Sequence, residues 1–228
     1  MRPDAVVGHS VGEYSALAAC GALSPGEAVS LVSVRGRATA AAAAEHPGAM
    51  AAVLGLEDAD IEELCGEVPD VWPANYNCPG QVVVSGSEEA VEQLIALATE
   101  RGARRAIKLA VTGAFHSPLV GSAAPTLSAA LADVEPGEPE VPFMSTVTAQ
   151  FEGRESLARL LVEQLTAPVR FTQAVAALVA DGVSLFVEVG PGQVLSGLVR
   201  RCDRSVTTVS VGDPETLARL EEVLSAER

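Results

Sequence analysis

The chain has 228 residues, and 30 acidic side chains against 15 basic ones give it a formal net charge of −15; this repels nucleic-acid phosphates and anionic lipid and excludes both as partners. A composition 48% hydrophobic but only 4% aromatic suits a core of small aliphatic side chains in helices and buried strands, not an all-β sandwich. Cys20, Cys65, Cys78 and Cys202 share no CxxC spacing, which argues against a metal site or disulfide framework, and neither a membrane-spanning run nor a signal peptide is visible. A cytoplasmic protein of one large or two unequal domains is expected.

In chain order, residues 4–7 read as the end of a buried strand, followed at once by a Gly-rich turn and a helix from about residue 12 to Ala19. A second helix is predicted over 25–45: Ser24 suits the N-cap, Pro25 the first helical position, and Glu27 completes a capping box. Residues 49–110 then show a strand (49–56), a helix (58–67), two strands (71–77 and 81–85) around Cys-Pro-Gly, a helix (88–101) and a strand (104–111). This βαββαβ order is that of a ferredoxin-like unit. A helix over 119–132, a strand over 141–146, helices over 154–165 and 171–180, a strand over 185–189 and a final short helix follow. Strands alternating with helices predict an α/β fold with a mostly parallel core sheet over 1–48 and 112–228, interrupted by the ferredoxin-like subdomain at 49–111.

Gly8-His9-Ser10-Val11-Gly12 matches G-x-S-x-G, the strand-to-helix turn that lifts a serine hydroxyl out of a sheet. Both glycines are expected to be required for room, and the helix start beyond favours developing negative charge. The alternative is an ordinary turn with an inert serine. A nucleophilic serine needs a base, and there are three histidines. His9 adjoins the serine in a tight turn and points away; His46, before Pro47, reads as a surface helix end. His116, in the loop Gly113-Ala114-Phe115-His116-Ser117-Pro118, remains by elimination, against a purely structural role.

Arg35 lies on the apolar stripe of the second helix, at i+7 from Ala28 and in line with Leu31, Val32, Ala38 and Thr39, whereas Arg37 falls on the opposite face. A buried guanidinium needs an anionic partner, either an internal Asp or Glu or a carboxylate on a substrate, which its planar fork suits. Two basic clusters, Arg101, Arg104, Arg105 and Lys108, and Arg200, Arg201 and Arg204, are either solvated surface or docking points for an anionic partner. Asn75–Gln81 reads equally as a ligand contact or a hairpin turn. Gly190-Pro191-Gly192-Gln193 reads as a plain strand–turn–helix link, since no Lys follows as in a P-loop.

The stretches GHSVGEYSALAACGALS, LVSVRGR, GAMAAVLGL, NYNCPGQVVVSG, GAFHSPLV, EQLTAPVRF and EVGPGQVLSGLVRR together resemble the malonyl-CoA:acyl-carrier-protein transacylase family, and with it the acyltransferase domains of polyketide synthases. The resemblance implies a hydrolase-like core with an inserted ferredoxin-like subdomain. It further implies ping-pong transfer of a malonyl group from coenzyme A to the phosphopantetheine thiol of an acyl carrier protein through Ser10, with no cofactor. By the same resemblance His116 is the general base, Gln164 orients it through its main-chain carbonyl, and Val11 N–H forms half of an oxyanion hole. Arg35 pairs with the malonyl carboxylate, and Phe115 before the histidine is similar to malonyl-selective members. Members of the family carry a segment before this turn with a Gly-Gln-Gly loop that supplies the other half; only seven residues precede Gly8 here. A serine thioesterase or esterase, or a truncated chain without catalysis, are the competing expectations.

Overall fold

The computed structural model describes residues 2–226 as two compact units, one ending at Ala174 and the other beginning at Val175. The first unit opens with β1 (Val6–Val7), shorter than predicted, and α1 (Gly12–Ala19). The predicted capping box starts α2 (Pro25–Glu45): Ser24 Oγ accepts from Glu27 N–H at 3.2 Å, and Glu27 Oε2 accepts from Ser24 N–H at 2.7 Å. Through Ala28, Leu31, Ala38 and Ala42, α2 packs into a core with Tyr14, Leu17, Leu127, Leu131, Phe143 and Leu161. Each fully buried large aliphatic side chain there contributes about 1.5–3 kcal/mol.

Next come β2 (Ala49–Leu54), α3 (Asp58–Glu67), β3 (Val71–Cys78), β4 (Gln81–Gly86), α4 (Glu88–Glu100) and β5 (Arg105–Lys108), all close to their predicted positions. With β8 (Val169–Arg170) they form a five-stranded sheet ordered β5-β2-β4-β3-β8; the first three pairings are antiparallel and β3 with β8 is parallel. Strand alternation divides β4 between two cores. Val82 and Val84 face Ile61, Leu64 and Leu94 of α3 and α4, while Val83 joins Met50 and Ala74, against which Phe115 packs.

The predicted helix over 119–132 is two elements, a 3₁₀ segment (Pro118–Ala123) running into α5 (Ala124–Val134). Pro125 has no N–H for an α-type bond back to residue 121, so the chain changes helical type there. β6 (Phe143–Ser145) pairs parallel with β1 and antiparallel with β7 (Gln150–Glu152), followed by α6 (Arg154–Glu163). α7 (Phe171–Ala180) closes the first unit and enters the second.

In the second unit β9 (Leu185–Val189) and β10 (Thr207–Val211) pair in parallel, with α8 (Val194–Cys202) between them and α9 (Pro214–Ala226) after them. The link from β9 to α8 is the plain turn expected, because Glu188 of the same chain accepts from Leu195 N–H at 3.0 Å and Ser196 N–H at 2.8 Å at the helix start. β7, β8, β10 and α9 are additions to the sequence-based reading. The fold is α/β, and no helix of the described residues is long and apolar enough to cross a membrane.

Candidate active site

The turn between β1 and α1 depends on one glycine. A Cβ on Gly8 would lie 2.2 Å from Glu13 N and 2.3 Å from Gly12 O, so only glycine lets the helix start close over the strand end. Gly12 has open space at that position, which corrects the expectation that both glycines are sterically required. Ser10 holds the left-handed backbone conformation, φ 52°, as does His116 at φ 59°. Such strain costs on the order of 1–3 kcal/mol per residue and concentrates at functional positions.

The two residues meet: Ser10 Oγ and His116 Nε2 are 2.7 Å apart. The other ring nitrogen, Nδ1, lies 2.9 Å from Gln164 O and 3.1 Å from Ala167 O. Both are acceptors, so Nδ1 carries the hydrogen, Nε2 is the acceptor, and Ser10 donates its hydroxyl proton to it. Gln164 ends α6, where the last carbonyls of a helix lack partners within it; one of them serves the histidine. Burial first, and the Arg35 charge second, push the His116 imidazole down to about 4, so the ring is neutral at pH 7.

Arg35 is where the α2 stripe placed it. One guanidinium nitrogen donates to Ser10 Oγ at 3.2 Å and to Gln164 Oε1 at 3.3 Å, and its buried Nε has no acceptor. Among the described residues no Asp or Glu forms an ion pair with Arg35. Of the two partners left open by the sequence, the internal one is therefore not found among them. Val11, 45% exposed, directs an N–H with no backbone acceptor among the described residues from the start of α1. Phe115 is half-buried, in contact with both the helical core and the apolar face of the five-stranded sheet.

Three further placements refine the sequence reading. His9 Nε2 donates to Asn77 Oδ1 at 2.8 Å and its ring lies against Phe171 at 5.3 Å, away from Ser10, so Asn77 touches the serine turn rather than only shaping a hairpin. His46 is the exposed end of α2. Arg101 and Lys108 are engaged by Glu63, Glu67, Glu88 and Glu92, which leaves that cluster far less basic than its sequence. Sequence reasoning missed Glu13, wholly buried three residues beyond Ser10 and bound by Thr146 and Gln164. The available signal was a carboxylate on the same helix face as Ala16 and Leu17, the pattern that singles out Arg35.

A serine hydroxyl donating to a neutral, doubly oriented imidazole at a strand–helix elbow, with a cation beside it, is equipment for covalent acyl chemistry. The chain belongs to the acyl transferase domain family, whose model matches residues 1–219. It is 43% identical over 232 residues to the malonyl CoA-acyl carrier protein transacylase of Bacillus subtilis, covering 100% of this chain and 73% of that protein. With the Escherichia coli K12 protein of the same description it shares 40% identity over 225 residues, 97% of this chain and 73% of the relative. Among solved structures, the malonyl-CoA:acyl carrier protein transacylase of Xanthomonas oryzae superposes with a TM-score of 0.94 at 43% identity, over 98% of this chain and 72% of that one. A malonyl-transacylase solved in complex with its type II polyketide synthase acyl-carrier protein gives 0.92 at 38% identity, over 96% and 72%.

Proposed function

We propose that this chain transfers a malonyl group from coenzyme A to the phosphopantetheine thiol of an acyl carrier protein, in fatty acid or polyketide synthesis, through an ester on Ser10. The observation that carries the reading is Arg35, a cation 3.2 Å from Ser10 Oγ with no carboxylate of its own among the described residues. A malonyl thioester has its carboxylate one methylene from the reacting carbonyl, within reach of both groups. As Ser10 Oγ attacks that carbonyl its proton passes to His116 Nε2, and the oxyanion faces Val11 N–H at the start of α1. The C–S bond breaks, and the coenzyme A thiolate leaves with the proton. In the second half the carrier thiol gives its proton to Nε2, its sulfur attacks the ester, and Ser10 leaves and is reprotonated. These steps draw only on the chain and its two substrates. Phe115 borders the acyl group and disfavours a branched one.

At finer grain we read the fold as a hydrolase-like core over 1–48 and 112–228 with a ferredoxin-like subdomain at 49–111. The strand order β5-β2-β4-β3, with α3 and α4 on one face, supports the latter. Intact-mass measurement after incubation with malonyl-CoA tests the function. A single malonyl adduct is expected, absent in Ser10→Ala and discharged by holo carrier protein; discharge by water at the same rate means a hydrolase instead. Arg35→Ala is expected to slow malonyl loading at least about tenfold more than acetyl loading, the size of a lost charge-assisted hydrogen bond. Equal losses would rule out the carboxylate role.

A further inference from the structure

Glu13 is 0% exposed, three residues beyond Ser10 on α1. One carboxylate oxygen accepts from Thr146 N–H at 2.6 Å and Thr146 Oγ1 at 2.8 Å; the other accepts from the side-chain Nε2 of Gln164. Gln164, also 0% exposed, turns its remaining amide atom, Oε1, to Arg35 at 3.3 Å. Burial pushes the Glu13 carboxyl up from its ordinary value, but donors occupy both of its oxygens, so towards Gln164 it acts as an acceptor, whereas an amide has one accepting and one donating end. Glu13 therefore dictates which end Gln164 shows to the arginine. We propose that Glu13, acting through the Gln164 amide, is the positioning residue that aims Arg35 and so sets the preference of Ser10 for carboxylated acyl groups.

This rests on the reading that Arg35 receives the substrate carboxylate. The relay explains why the arginine's acceptor is a neutral amide. A carboxylate at position 164 would pair directly with the guanidinium and compete with the substrate. The amide orients the cation and leaves its charge available, while Glu13 stands one side chain behind, bonded to Gln164 and not to Arg35. Gln164 thus acts twice, through its carbonyl on His116 and through its side chain on Arg35.

Glu13→Gln tests the proposal. The substituted side chain keeps the shape and can still accept from Thr146, but its amide nitrogen meets Gln164 Nε2 donor to donor. The Gln164 amide then turns and presents its donors to Arg35. With malonyl-CoA and acetyl-CoA as probes, the ratio of malonyl to acetyl loading rates on Ser10 is expected to fall at least about tenfold. A general distortion slows both substrates alike, so an unchanged ratio in the folded variant overturns the proposal. Should Glu13→Gln give no cooperative thermal transition, the swap Glu13→Gln with Gln164→Glu decides. It restores donor–acceptor pairing between the two positions but sets a carboxylate against Arg35. The same fall in ratio is expected, and a wild-type ratio overturns the relay. Arg35→Ala separates the layers: an unchanged ratio there defeats the carboxylate reading beneath, whereas a selective Arg35→Ala with an unselective Glu13→Gln defeats this inference alone.

Discussion

At the scale of single residues the controlling fact is the protonation state of His116. Burial and the Arg35 charge hold it at about 4 against an ordinary 6.5, so the accepting form persists far into acid. Loading of Ser10 from malonyl-CoA is expected to stay flat from about pH 8 to about pH 5 and to fall only as pH approaches 4; an unperturbed imidazole would lose half its base form at pH 6.5. A single-turnover pH profile checks this, and a midpoint near 6.5 would contradict it. Ser10 and Arg35 were legible in the sequence because each breaks a local pattern, one as a serine between glycines after Val-Val, the other as a charge on an apolar stripe. Without the family resemblance, His116 could be reached only by elimination. Its partners are main-chain carbonyls at Gln164 and Ala167, and a backbone acceptor leaves no trace in side-chain identity.

At the scale of elements, the approach of α1 to the end of β1 turns on Gly8. Gly8→Ala forces a methyl group into backbone atoms at 2.2 Å that have no flexible side chain to move aside, and is expected to destabilise the fold by about 1–3 kcal/mol or more. Gly12→Ala enters open space inside a helix and is expected to be neutral or stabilising by up to about 1 kcal/mol. Denaturant midpoints of the two variants provide the comparison; equal shifts would contradict it. α2 was readable from its capping box, and α3 and α4 as long helical stretches of ten or more residues between strand patterns. β7 and β8 span three and two residues, too short for alternation to register, and exist because a neighbouring strand supplies their hydrogen bonds. β10 and α9 differ, since Thr207–Val211, rich in β-branched residues, and Asp213-Pro214 were present as signals. The structure shows Asp213 Oδ1 accepting from Thr216 N–H at 2.8 Å at the start of α9.

For the whole molecule, two imidazoles, His116 buried and His9 half-buried, link stability to pH. Burial lowers His9 as well as His116. Between pH 6.5 and the lower folded value the unfolded chain binds protons that the native state refuses. Stability therefore falls as pH drops through that window, by up to about 1.4 kcal/mol per pH unit for each group. The net charge of −15 acts in the opposite sense, because its self-repulsion eases in acid. The informative measurement is the difference between wild type and His116→Gln: the variant is expected to lose less stability between pH 7 and pH 5, and parallel curves would refute the linkage. Ser10 and His116 are 106 residues apart in sequence, Arg35 and Gln164 129, and Glu13 and Gln164 151. Contacts of such span carry a large loop-closure cost, and we expect them to close after the helices have formed. The reactivity of Ser10 is thus also a clock: a serine-directed probe added during refolding labels only chains whose longest loops have already shut, and its signal trails the recovery of helical content.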